Sequence, residues 1–356
     1  MTSGPIFLTG ASGMVGREIL AWLLAHTDRE IWVLEHVAPV WVHSRRVRVL
    51  KGDILVENLA LTDAELKNIR EHVTDVIHAA GSTNFGATLE EARHANVTGM
   101  QHVFALCEAA REARFGFIST VFVAGRRMGC VLEKELYHDA GFVNTYEQSK
   151  YEAELWLQHV SQHVPVSIYR LSTLLGDSRN GVTSEFTAPH QLMRLVRLGL
   201  VSILPGEEAT PVDLMPTDYA IDTFCTLHFV HRVRGTYHIA AGREASLTLA
   251  ELVALTYDCF SALDSSWAKL RIPKPVLVNR AVFSLYTQSI EESGNPLFLH
   301  IVMNTKFFAE QLLYPKDFDV GGVTAYIPQY RSTMPSISDT YKKVLLFCVR
   351  NNWRTT

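Results

Sequence analysis

A glycine-rich turn follows the first apolar segment of the chain, and it constrains the fold more than any other feature. Residues 5–8 are apolar enough for a buried parallel strand, and residues 17–26 have the apolar spacing of a helix packed on a sheet. Between them lie Gly10, Gly13 and Gly16. The first permits a tight turn, the second lets a pyrophosphate approach the backbone, and the third allows helix and strand to pack closely. The pattern predicts a dinucleotide-binding fold, with phosphates at the helix N-terminus.

Short apolar segments alternate with helical ones through the first half of the chain, which is typical of a doubly wound parallel sheet. Further strands are predicted at residues 31–35, 46–50, 75–79, 114–119, 166–170 and 235–239. Further helices are predicted at residues 62–71, 90–113, 146–162 and 190–198. From residue 247 onward the pattern is mostly helical. The predicted fold class is therefore α/β, a Rossmann-type doubly wound parallel sheet with a smaller, mostly helical substrate lobe.

The pattern changes after Gly176, where polar, glycine and proline breaks interrupt the strand and helix alternation. We assign residues 1–176 together with 213–242 to the nucleotide-binding domain. Residues 177–212 and 243–356 are assigned to a substrate-binding lobe. We expect this lobe to pack at the carboxyl edge of the sheet, where open α/β sheets bind their ligands.

Composition argues against several classes of function. The net charge of −4 gives no reason to expect a nucleic-acid partner. Five scattered cysteines without a C-x-x-C pair indicate reduced thiols, and they argue against a disulfide framework or a zinc site. The sequence contains no run of 18 apolar residues, and no signal peptide is visible before the first predicted strand at residue 5. The expectation is a cytoplasmic protein without a transmembrane span and without a metal.

The ends of the second and third strands fall where the adenosine of a dinucleotide would lie. Glu35 stands about 20 residues after the glycine turn, where an acidic side chain accepts hydrogen bonds from the ribose and repels a 2′-phosphate. Glu35 therefore favours NAD. His36, Arg45 and Arg46 follow closely and are able to hold a phosphate instead, so the predicted cofactor is NAD or NADP. Asp53 is placed to accept from the adenine amino group, or simply to form a Gly-Asp turn.

Small residues end the fourth strand, as is needed where a backbone passes close beneath a cofactor. Together with the glycine turn and the strand ends, they complete the predicted cofactor site. Its residues are Gly10, Ser12, Gly13, Met14, Val15, Gly16, Glu35, His36, Asp53, Ile54, Ala79, Ala80, Gly81, Ser119, Leu171 and Thr173.

A hydroxyl, a tyrosine and a lysine form the predicted catalytic group. Thr120 follows the fifth strand, on the cofactor side, and Tyr146 and Lys150 share one face at the start of a helix. Tyr146 would exchange a proton with the substrate oxygen, and Lys150 would lower the pKa of that tyrosine and hold the nicotinamide ribose. Thr120 would donate a hydrogen bond to the developing oxyanion. Substrate contacts are predicted at Thr83, Asn84, Phe85 and Phe186.

With these motifs in place, the sequence resembles the extended short-chain dehydrogenases/reductases. The resemblance rests on the glycine turn, Asp53-Ile54, His78-Ala79-Ala80, Asn96-Val97-Thr98-Gly99 and the hydroxyl, tyrosine and lysine triad. Residues 119–125, 141–154 and 212–219 are most similar to the branch that holds thioester reductase domains and fatty acyl-CoA reductases, the male sterility type. The resemblance covers residues 5–255 and is most specific over residues 141–154.

The resemblance implies NAD(P)H-dependent reduction of an acyl thioester to an aldehyde or alcohol, with Thr120, Tyr146 and Lys150 as the triad. The implied partners are a small-molecule or carrier-bound acyl substrate and an acyl carrier protein, and a homodimer is also considered. Two other functions stay open. One is an NAD-dependent epimerase, dehydratase or hydroxysteroid-type dehydrogenase acting on an alcohol or ketone, which Glu35 favours. The other is a nucleotide-sensing protein without turnover, against which the complete triad counts.

Overall fold

The computed structural model describes residues 4–110, 112–160, 163–296, 299, 306 and 308–354. Seven of its strands form one parallel sheet, and shorter strands form two-stranded sheets beside it. The strands are β1 (Ile6–Thr9), β2 (Ile31–Glu35), β3 (Val47–Lys51), β4 (Asp75–His78), β5 (Arg114–Thr120), β6 (Gly129–Val131), β7 (Val166–Leu171), β8 (Thr173–Leu174), β9 (Ile203–Pro205), β10 (Pro211–Val212), β11 (Leu214–Met215), β12 (Gly235–Ile239), β13 (Leu247–Thr248), β14 (Val276–Val278) and β15 (Lys316–Phe318).

Helices connect these strands throughout the described chain. They are α1 (Met14–His26), α2 (Asp63–His72), α3 (Leu89–Arg93), α4 (Gly99–Glu108), α5 (Thr145–Val160), α6 (Ala188–Arg197), α7 (Thr217–Cys225), α8 (Leu249–Leu263), α9 (Ser265–Lys269) and α10 (Arg280–Ser293), followed by helical segments at Gly321–Tyr326, Tyr330–Thr333 and Ile337–Arg350. Single π-helical turns lie at His94–Thr98 and Thr226–Val230.

The large sheet has the strand order β3-β2-β1-β4-β5-β7-β12, and all of its neighbours are parallel. Because every strand runs the same way, all of their carboxyl ends meet at one edge of the sheet. β1 pairs with β2 on one side and with β4 on the other, so the direction in which strands are added reverses between β1 and β4. A reversal of this kind opens a crevice at the carboxyl edge, where doubly wound folds bind their ligands.

Successive side chains of the strands pack alternately in two separate hydrophobic cores. In β1, Ile6 and Leu8 pack in the cluster that includes Ile19 and Leu20 of α1. Phe7, between them, packs in the opposite cluster with residues of α2 and α4. Two apolar faces covered by helices explain why these strands are apolar without interruption. The predicted fold class, a Rossmann-type doubly wound parallel sheet, is confirmed.

A second group of elements packs beside the large sheet and is mostly helical. It includes α6 and α8 to α10, with β14 paired to β9 and β10 paired to β13. We call residues 308–354 the C-terminal segment. Its strand β15 pairs with β6, which brings this segment next to the loop that follows β5. This group corresponds to the predicted substrate lobe, whose boundaries stay a prediction.

The predicted strands match the observed ones to within two residues at each end, whereas one helix was predicted wrongly. In place of one helix over residues 90–113, the structure has α3, a π-helical turn and α4, which ends at Glu108, and residue 111 lies outside the described residues. Apolar periodicity does not register a one-residue π insertion, which keeps a nearly continuous helical pattern. The predicted helix at residues 146–162 is observed as Thr145–Val160, and residue 162 lies outside the described residues.

Candidate active site

The glycine turn at the end of β1 has different requirements at its three glycines. Gly10 adopts φ +78°, and a Cβ there would lie 2.6 Å from the carbonyl carbon of Ala79. A Cβ on Gly16 would collide with the carbonyl oxygen of Gly10. A Cβ on Gly13 would meet only that same oxygen, at 3.6 Å. Gly10 and Gly16 are therefore required by the protein's own packing, while Gly13 leaves open space at the start of α1.

A carboxylate from a distant loop already occupies one of the amides at this helix N-terminus. The backbone N–H of Met14 donates to Oε1 of Glu185 at 3.0 Å, across 171 residues of chain. The first-turn amides of a helix have no intrahelical partner and attract anions. Glu185 thus stands in for an anionic group at the position predicted for the pyrophosphate, and the residues present fit a dinucleotide there. Nothing in the sequence pattern pointed to Glu185, an exposed acid between β8 and α6.

Glu35 at the end of β2 is buried, and its carboxylate is already engaged within the protein. It accepts a hydrogen bond from the N–H of Val40 at 2.6 Å and another from the ammonium of Lys51. These hydrogen bonds, that of Lys51 first, hold the pKa of Glu35 below its usual value. Since Lys51 neutralises the carboxylate, Glu35 repels a 2′-phosphate less than a free acid would, which weakens the sequence argument for NAD over NADP.

The other residues predicted to hold the adenosine lie close to Glu35. Nε2 of His36, which is exposed, lies 3.4 Å from Oδ2 of Asp53. The other carboxylate oxygen of Asp53 accepts the N–H of Leu55 at 2.9 Å. Ile54 turns its side chain toward Gly99 of α4. Asp53 therefore has one oxygen directed at its own loop and one toward His36.

The remaining predicted cofactor residues lie at the same edge of the sheet with different exposures. The half-exposed ones are Gly10, Ser12, Gly13, Met14, Val15, Ala79, Ala80 and Thr173, the exposed one is Gly81, and the buried ones are Gly16, Ser119 and Leu171. The Ser119 hydroxyl lies against Glu154, which is itself paired with Arg170 at 2.7 Å. Neighbouring strand residues face opposite sides, so Ser119 points into the interior while Thr120 faces the crevice. Ser119 as a cofactor residue stays a prediction, and its hydroxyl is engaged by Glu154.

Asn96 ties the loop after β4 to the catalytic helix, a role that sequence reasoning did not assign. Its amide donates to the Ser149 hydroxyl at 2.9 Å and to the carbonyl of Ser82 at 3.0 Å. Its side-chain oxygen accepts the N–H of Ser82 at 2.8 Å and would lie 2.6 Å from a Cβ on Gly81. Asn96 lies in the π-helical turn, and such turns are frequent at functional sites.

The structure brings the predicted triad together. Thr120 ends β5, its hydroxyl accepts the N–H of Phe122 at 3.2 Å, and its side chain lies close enough to that of Tyr146 to influence the pKa of the phenol. Lys150 lies one turn beyond Tyr146 on α5. Its ammonium donates to the carbonyl of Ile118 at 2.7 Å and lies 3.9 Å from the centroid of the Phe117 ring.

The protonation of Tyr146 differs from the sequence expectation. Burial raises the pKa of Tyr146 to about 12, and the nearby Thr120 hydroxyl moderates that rise. Burial also lowers the pKa of Lys150 to about 7. Lys150 was expected to lower the pKa of Tyr146, but its ammonium is held by the carbonyl of Ile118 and is itself destabilised by burial. Tyr146 is therefore a protonated phenol at neutral pH, the form that donates a proton.

A buried ionisable pair joins the residue after Tyr146 to the C-terminal segment. The carboxylate of Glu147, 1% exposed, accepts the N–H of Val143 at 3.0 Å and the side-chain amide of Gln311. The ammonium of Lys316 donates to Gln311 at 2.9 Å and to the carbonyl of Gly125 at 2.7 Å. Burial raises the pKa of Glu147 to about 7 and lowers that of Lys316 to about 8. The cluster connects the catalytic helix, the turn after Thr120 and the C-terminal segment.

The predicted substrate residues lie in two places. The Phe85 ring lies 5.5 Å from that of Tyr146, so the structure brings this residue to the triad. Thr83 and Asn84 are exposed in the same loop. Phe186 instead packs against Phe347 of the C-terminal helix, with ring centroids 6.2 Å apart. Phe186 follows Glu185, so it lies beside the glycine turn.

An apolar pocket lies between α6, α8 and the C-terminal segment. Its walls include Met193, Leu214, Leu252, Pro275 and Leu312. The two hydroxyls of Thr256 and Tyr341 bond to each other at 2.7 Å, so the polar atoms they bring to the wall are satisfied. Leu214 pairs with Thr173, and Leu312 follows the residue that contacts Glu147. Two residues of the pocket wall thus stand next to residues that belong to the candidate site or contact it.

Among the described residues, no group of three or more histidine, cysteine or acidic side chains is arranged to hold a metal ion. Over the same part of the chain, no helix combines the length and hydropathy needed to cross a membrane.

Comparison with known proteins identifies one matching family model and relatives among both peptide synthases and fatty acyl-CoA reductases. The family model described as Male sterility protein, an NAD-binding family, matches residues 35–224. The chain is 27% identical over 237 residues to the isonitrile lipopeptide synthase of Streptomyces coeruleorubidus, which covers 60% of this chain and 16% of that protein. It is 23% identical over 270 residues to the fatty acyl-CoA reductase wat of Drosophila melanogaster, covering 61% and 52%. The chain therefore spans a small part of one relative and about half of the other.

Among solved structures, the terminal R domain from the myxalamid PKS-NRPS biosynthetic pathway has a TM-score of 0.80 at 22% identity. The match covers 99% of this chain and 93% of that one. At this identity the match establishes a shared fold over nearly the whole chain.

Proposed function

This chain belongs to the male sterility protein family of NAD-binding proteins, and on that premise we propose that it reduces an acyl thioester with a reduced nicotinamide dinucleotide. Its assignment as an extended short-chain dehydrogenase/reductase of the thioester reductase branch is confirmed. The observation that carries the proposed activity is the apposition of Thr120 and protonated Tyr146 at the carboxyl edge of the sheet. The product is an aldehyde, or an alcohol after a second reduction.

The cofactor would be held by the turn at Gly10, Gly13 and Gly16, with its phosphates replacing Glu185 at the Met14 amide. When bound, the nicotinamide supplies the hydride. Lys150 is the buried cation of the triad, and its ammonium would hold the adjacent ribose hydroxyls. NAD and NADP both stay compatible with the adenosine end, because Lys51 neutralises Glu35.

The chain's own residues manage the oxygen and the proton of the reaction. Thr120 and Tyr146 would both hydrogen-bond the thioester carbonyl oxygen, and Tyr146 would transfer its proton to that oxygen as the carbonyl carbon is reduced. The resulting hemithioacetal then collapses: the C–O bond regains its double-bond character, the C–S bond breaks, and the sulfur leaves as a thiolate that takes a proton from solvent. Tyr146 takes back the hydroxyl proton in this second step, so that it is ready for another turnover.

The apolar pocket supports an acyl group with few polar substituents. Its wall residues are hydrophobic, and a hydrophobic pocket rejects polar chains because they would lose hydrogen bonds to water. Two carriers of the acyl group agree with the relatives: coenzyme A, as the name of the fatty acyl-CoA reductase indicates, and the carrier proteins of peptide synthetases. The expected homodimer and cytoplasmic location stay predictions.

A substrate panel tests the proposed function. The purified protein is given NADH or NADPH with acyl-coenzyme A or an acyl carrier protein, and nicotinamide absorbance and free thiol are recorded together. We expect both signals to change in parallel, and the Tyr146→Phe variant to lose them. Turnover of a UDP-sugar or a secondary alcohol without thiol release from any thioester would instead establish the epimerase or dehydrogenase alternative. Binding of the dinucleotide without any turnover would favour a nucleotide sensor.

A further inference from the structure

Two arginines from separate elements share one aromatic ring near the triad. The guanidinium of Arg280 lies 4.5 Å from the centroid of the Tyr314 ring, and that of Arg126 lies 6.0 Å from it. Tyr314 is buried, at 8% exposure, whereas both arginines are exposed. An aromatic ring beneath a guanidinium limits its motion and leaves its N–H groups free for an anion.

The two arginines are not neutralised by the protein. Neither forms an ion pair among the residues that the structure describes. The carboxylate of Glu310 interacts electrostatically with both arginines and with Lys306, without forming an ion pair with either arginine. Glu310 carries at most one negative charge against two guanidinium groups and the ammonium of Lys306, so it compensates these cations incompletely. An uncompensated guanidinium pair is suited to a phosphate, which accepts several charge-assisted hydrogen bonds.

The position of the pair relates it to both halves of the candidate site. Arg126 follows the turn after Thr120, and its N–H donates to the carbonyl of Gly141 at 2.9 Å. Arg280 begins α10, directly after the strand β14. Tyr314 stands two residues from Leu312 of the apolar pocket and two from Lys316, which contacts the turn at Gly125. The pair thus lies between the turn after Thr120, the start of α10 and the C-terminal segment.

The segment that leads to Arg280 adds to the positive charge. Residues 265–290 contain four basic side chains and no acidic one, although the whole chain has a net charge of −4. All four are exposed, and they are Lys269, Arg271, Lys274 and Arg280. Such a segment raises the local concentration of an anionic ligand and speeds its association.

We propose that Arg126 and Arg280 bind the phosphate of the phosphopantetheine arm on which the acyl thioester arrives. This inference rests on the proposed function, because it assumes that the substrate is a thioester. Coenzyme A and carrier proteins attach their acyl groups to the same arm, with a phosphate at the end opposite to the sulfur. A phosphate held by the two arginines would leave the arm to extend toward Thr120 and Tyr146, with the acyl chain in the apolar pocket.

Two substrates that differ only in the phosphate test the proposal. They are acyl-phosphopantetheine and acyl-pantetheine with the same acyl chain, and the readout is the ratio of their kcat/KM values. We expect the native protein to prefer the phosphorylated arm at least tenfold, and the Arg126→Ala/Arg280→Ala variant to lower that ratio to about one. Arg234→Ala removes an exposed arginine ahead of β12, at the amino edge of the sheet, and is expected to keep the native ratio. Thermal unfolding and dinucleotide affinity verify that each variant is folded.

Equal kcat/KM for the two arms in the native protein, or an unchanged ratio in the double variant, would overturn the proposal. Acyl-coenzyme A and an acyl carrier protein then separate the sources of the arm. A loss of kcat/KM with both supports a contact to the shared phosphate. A loss with only one of them would contradict it, because the arginines would then recognise the nucleotide of coenzyme A or the surface of the carrier.

A binding measurement separates this proposal from the proposed function. If no thioester is reduced, the proposed function fails, and the phosphate site is judged by calorimetry with phosphopantetheine and pantetheine alone. At least tenfold tighter binding of phosphopantetheine to the native protein, lost in the double variant, would still support the site. Equal binding of the two compounds would overturn it.

Discussion

Burial sets the protonation states of the polar residues at the centre of the site. Tyr146 is kept protonated, with a pKa of about 12, and the pKa of Lys150 falls to about 7. The two shifts have the same cause, since a charged side chain is less stable away from water. A protonated tyrosine beside a hydroxyl is the arrangement that reduction of a carbonyl needs, because the oxygen gains a proton in that direction.

The buried lysine predicts a stability that depends on pH. The folded-state pKa of Lys150, about 7, lies below its ordinary value of 10.5, so the unfolded chain binds more protons between these values and native stability rises with pH there. Lys150→Met removes this effect. We expect the variant to gain most relative to the native protein below pH 7, and the gain to shrink by about 1.4 kcal/mol per pH unit between pH 7.5 and 9.5.

Urea unfolding at a series of pH values measures this difference. Lys269→Met, at an exposed lysine, serves as the control and is expected to show no such slope. A difference between Lys150→Met and the native protein that stays constant with pH would show that Lys150 is charged throughout.

Glu185 predicts competition between the protein and its cofactor. Its carboxylate accepts the Met14 N–H at 3.0 Å, and dinucleotide phosphates would need the same amide. Glu185→Gln keeps the side-chain length but removes the charge, so we expect NAD(H) to bind at least threefold more tightly, which corresponds to about 0.7 kcal/mol. Titration calorimetry measures the affinity, with Glu208→Gln as an exposed control. Unchanged or weaker binding would place the phosphates elsewhere.

Sequence reasoning predicted the residues that depend on local patterns and missed those that depend on distant ones. Tyr146 and Lys150 share a helical face by spacing alone, and Thr120 lies at a strand end that the apolar pattern marks. Glu185 reaches Met14 across 171 residues through an exposed loop, and no local pattern records such a contact. The pKa of Tyr146 was predicted in the wrong direction because its burial is a property of the folded protein.

At the scale of elements, different glycines of the turn after β1 serve cofactor binding and folding. Gly13→Ala places a methyl group in space that the protein leaves open, 3.6 Å from its nearest neighbour. We therefore expect this variant to keep the native unfolding temperature but to bind the dinucleotide at least tenfold more weakly, because the methyl group keeps the pyrophosphate from the helix N-terminus. Calorimetry and thermal unfolding measure the two properties.

Gly16→Ala is the matched comparison, because its methyl group would collide with the carbonyl of Gly10. This second variant is expected to lose stability as well as affinity. Native affinity in a folded Gly13→Ala variant would show that the pyrophosphate does not approach this turn.

The elements of the sheet were predicted well because a strand covered on both faces is apolar throughout. β2 and β12 were predicted at their observed bounds. The predicted helix at residues 90–113 was too long because residues 109–113 are strong helix formers by type, although α4 ends at Glu108. The function of Asn96 follows from its hydrogen bonds to Ser82 and Ser149, which only the folded structure shows.

At the scale of the whole molecule, the C-terminal segment completes the surroundings of the catalytic helix. Glu147 and Gln311 are 164 residues apart, and β15 pairs with β6 in the same region. The sequence beyond residue 255 resembled no family, so neither contact was predicted. The division into two domains likewise stays a prediction, since the C-terminal segment packs on both.

The buried pair Glu147 and Lys316 predicts a non-additive pair of variants. Lys316→Met leaves the Glu147 carboxylate buried without its cation, so we expect kcat/KM to fall at least tenfold and stability to fall by about 3 kcal/mol or more. Adding Glu147→Gln removes the unpaired charge, and the double variant is expected to recover most of the stability. Urea unfolding and steady-state kinetics measure both quantities. If the double variant loses as much free energy of unfolding as Lys316→Met and Glu147→Gln lose together when measured separately, the two side chains do not interact.

The most direct test of the central claim follows the transferred hydrogen. The protein is mixed with an acyl thioester and a reduced nicotinamide dinucleotide deuterated at both C4 positions, and the product is analysed by mass spectrometry. We predict an aldehyde with deuterium on its carbonyl carbon, formed together with free thiol, and no product from the Tyr146→Phe variant although it binds the dinucleotide. An aldehyde without deuterium, or undiminished product from Tyr146→Phe, would contradict the account.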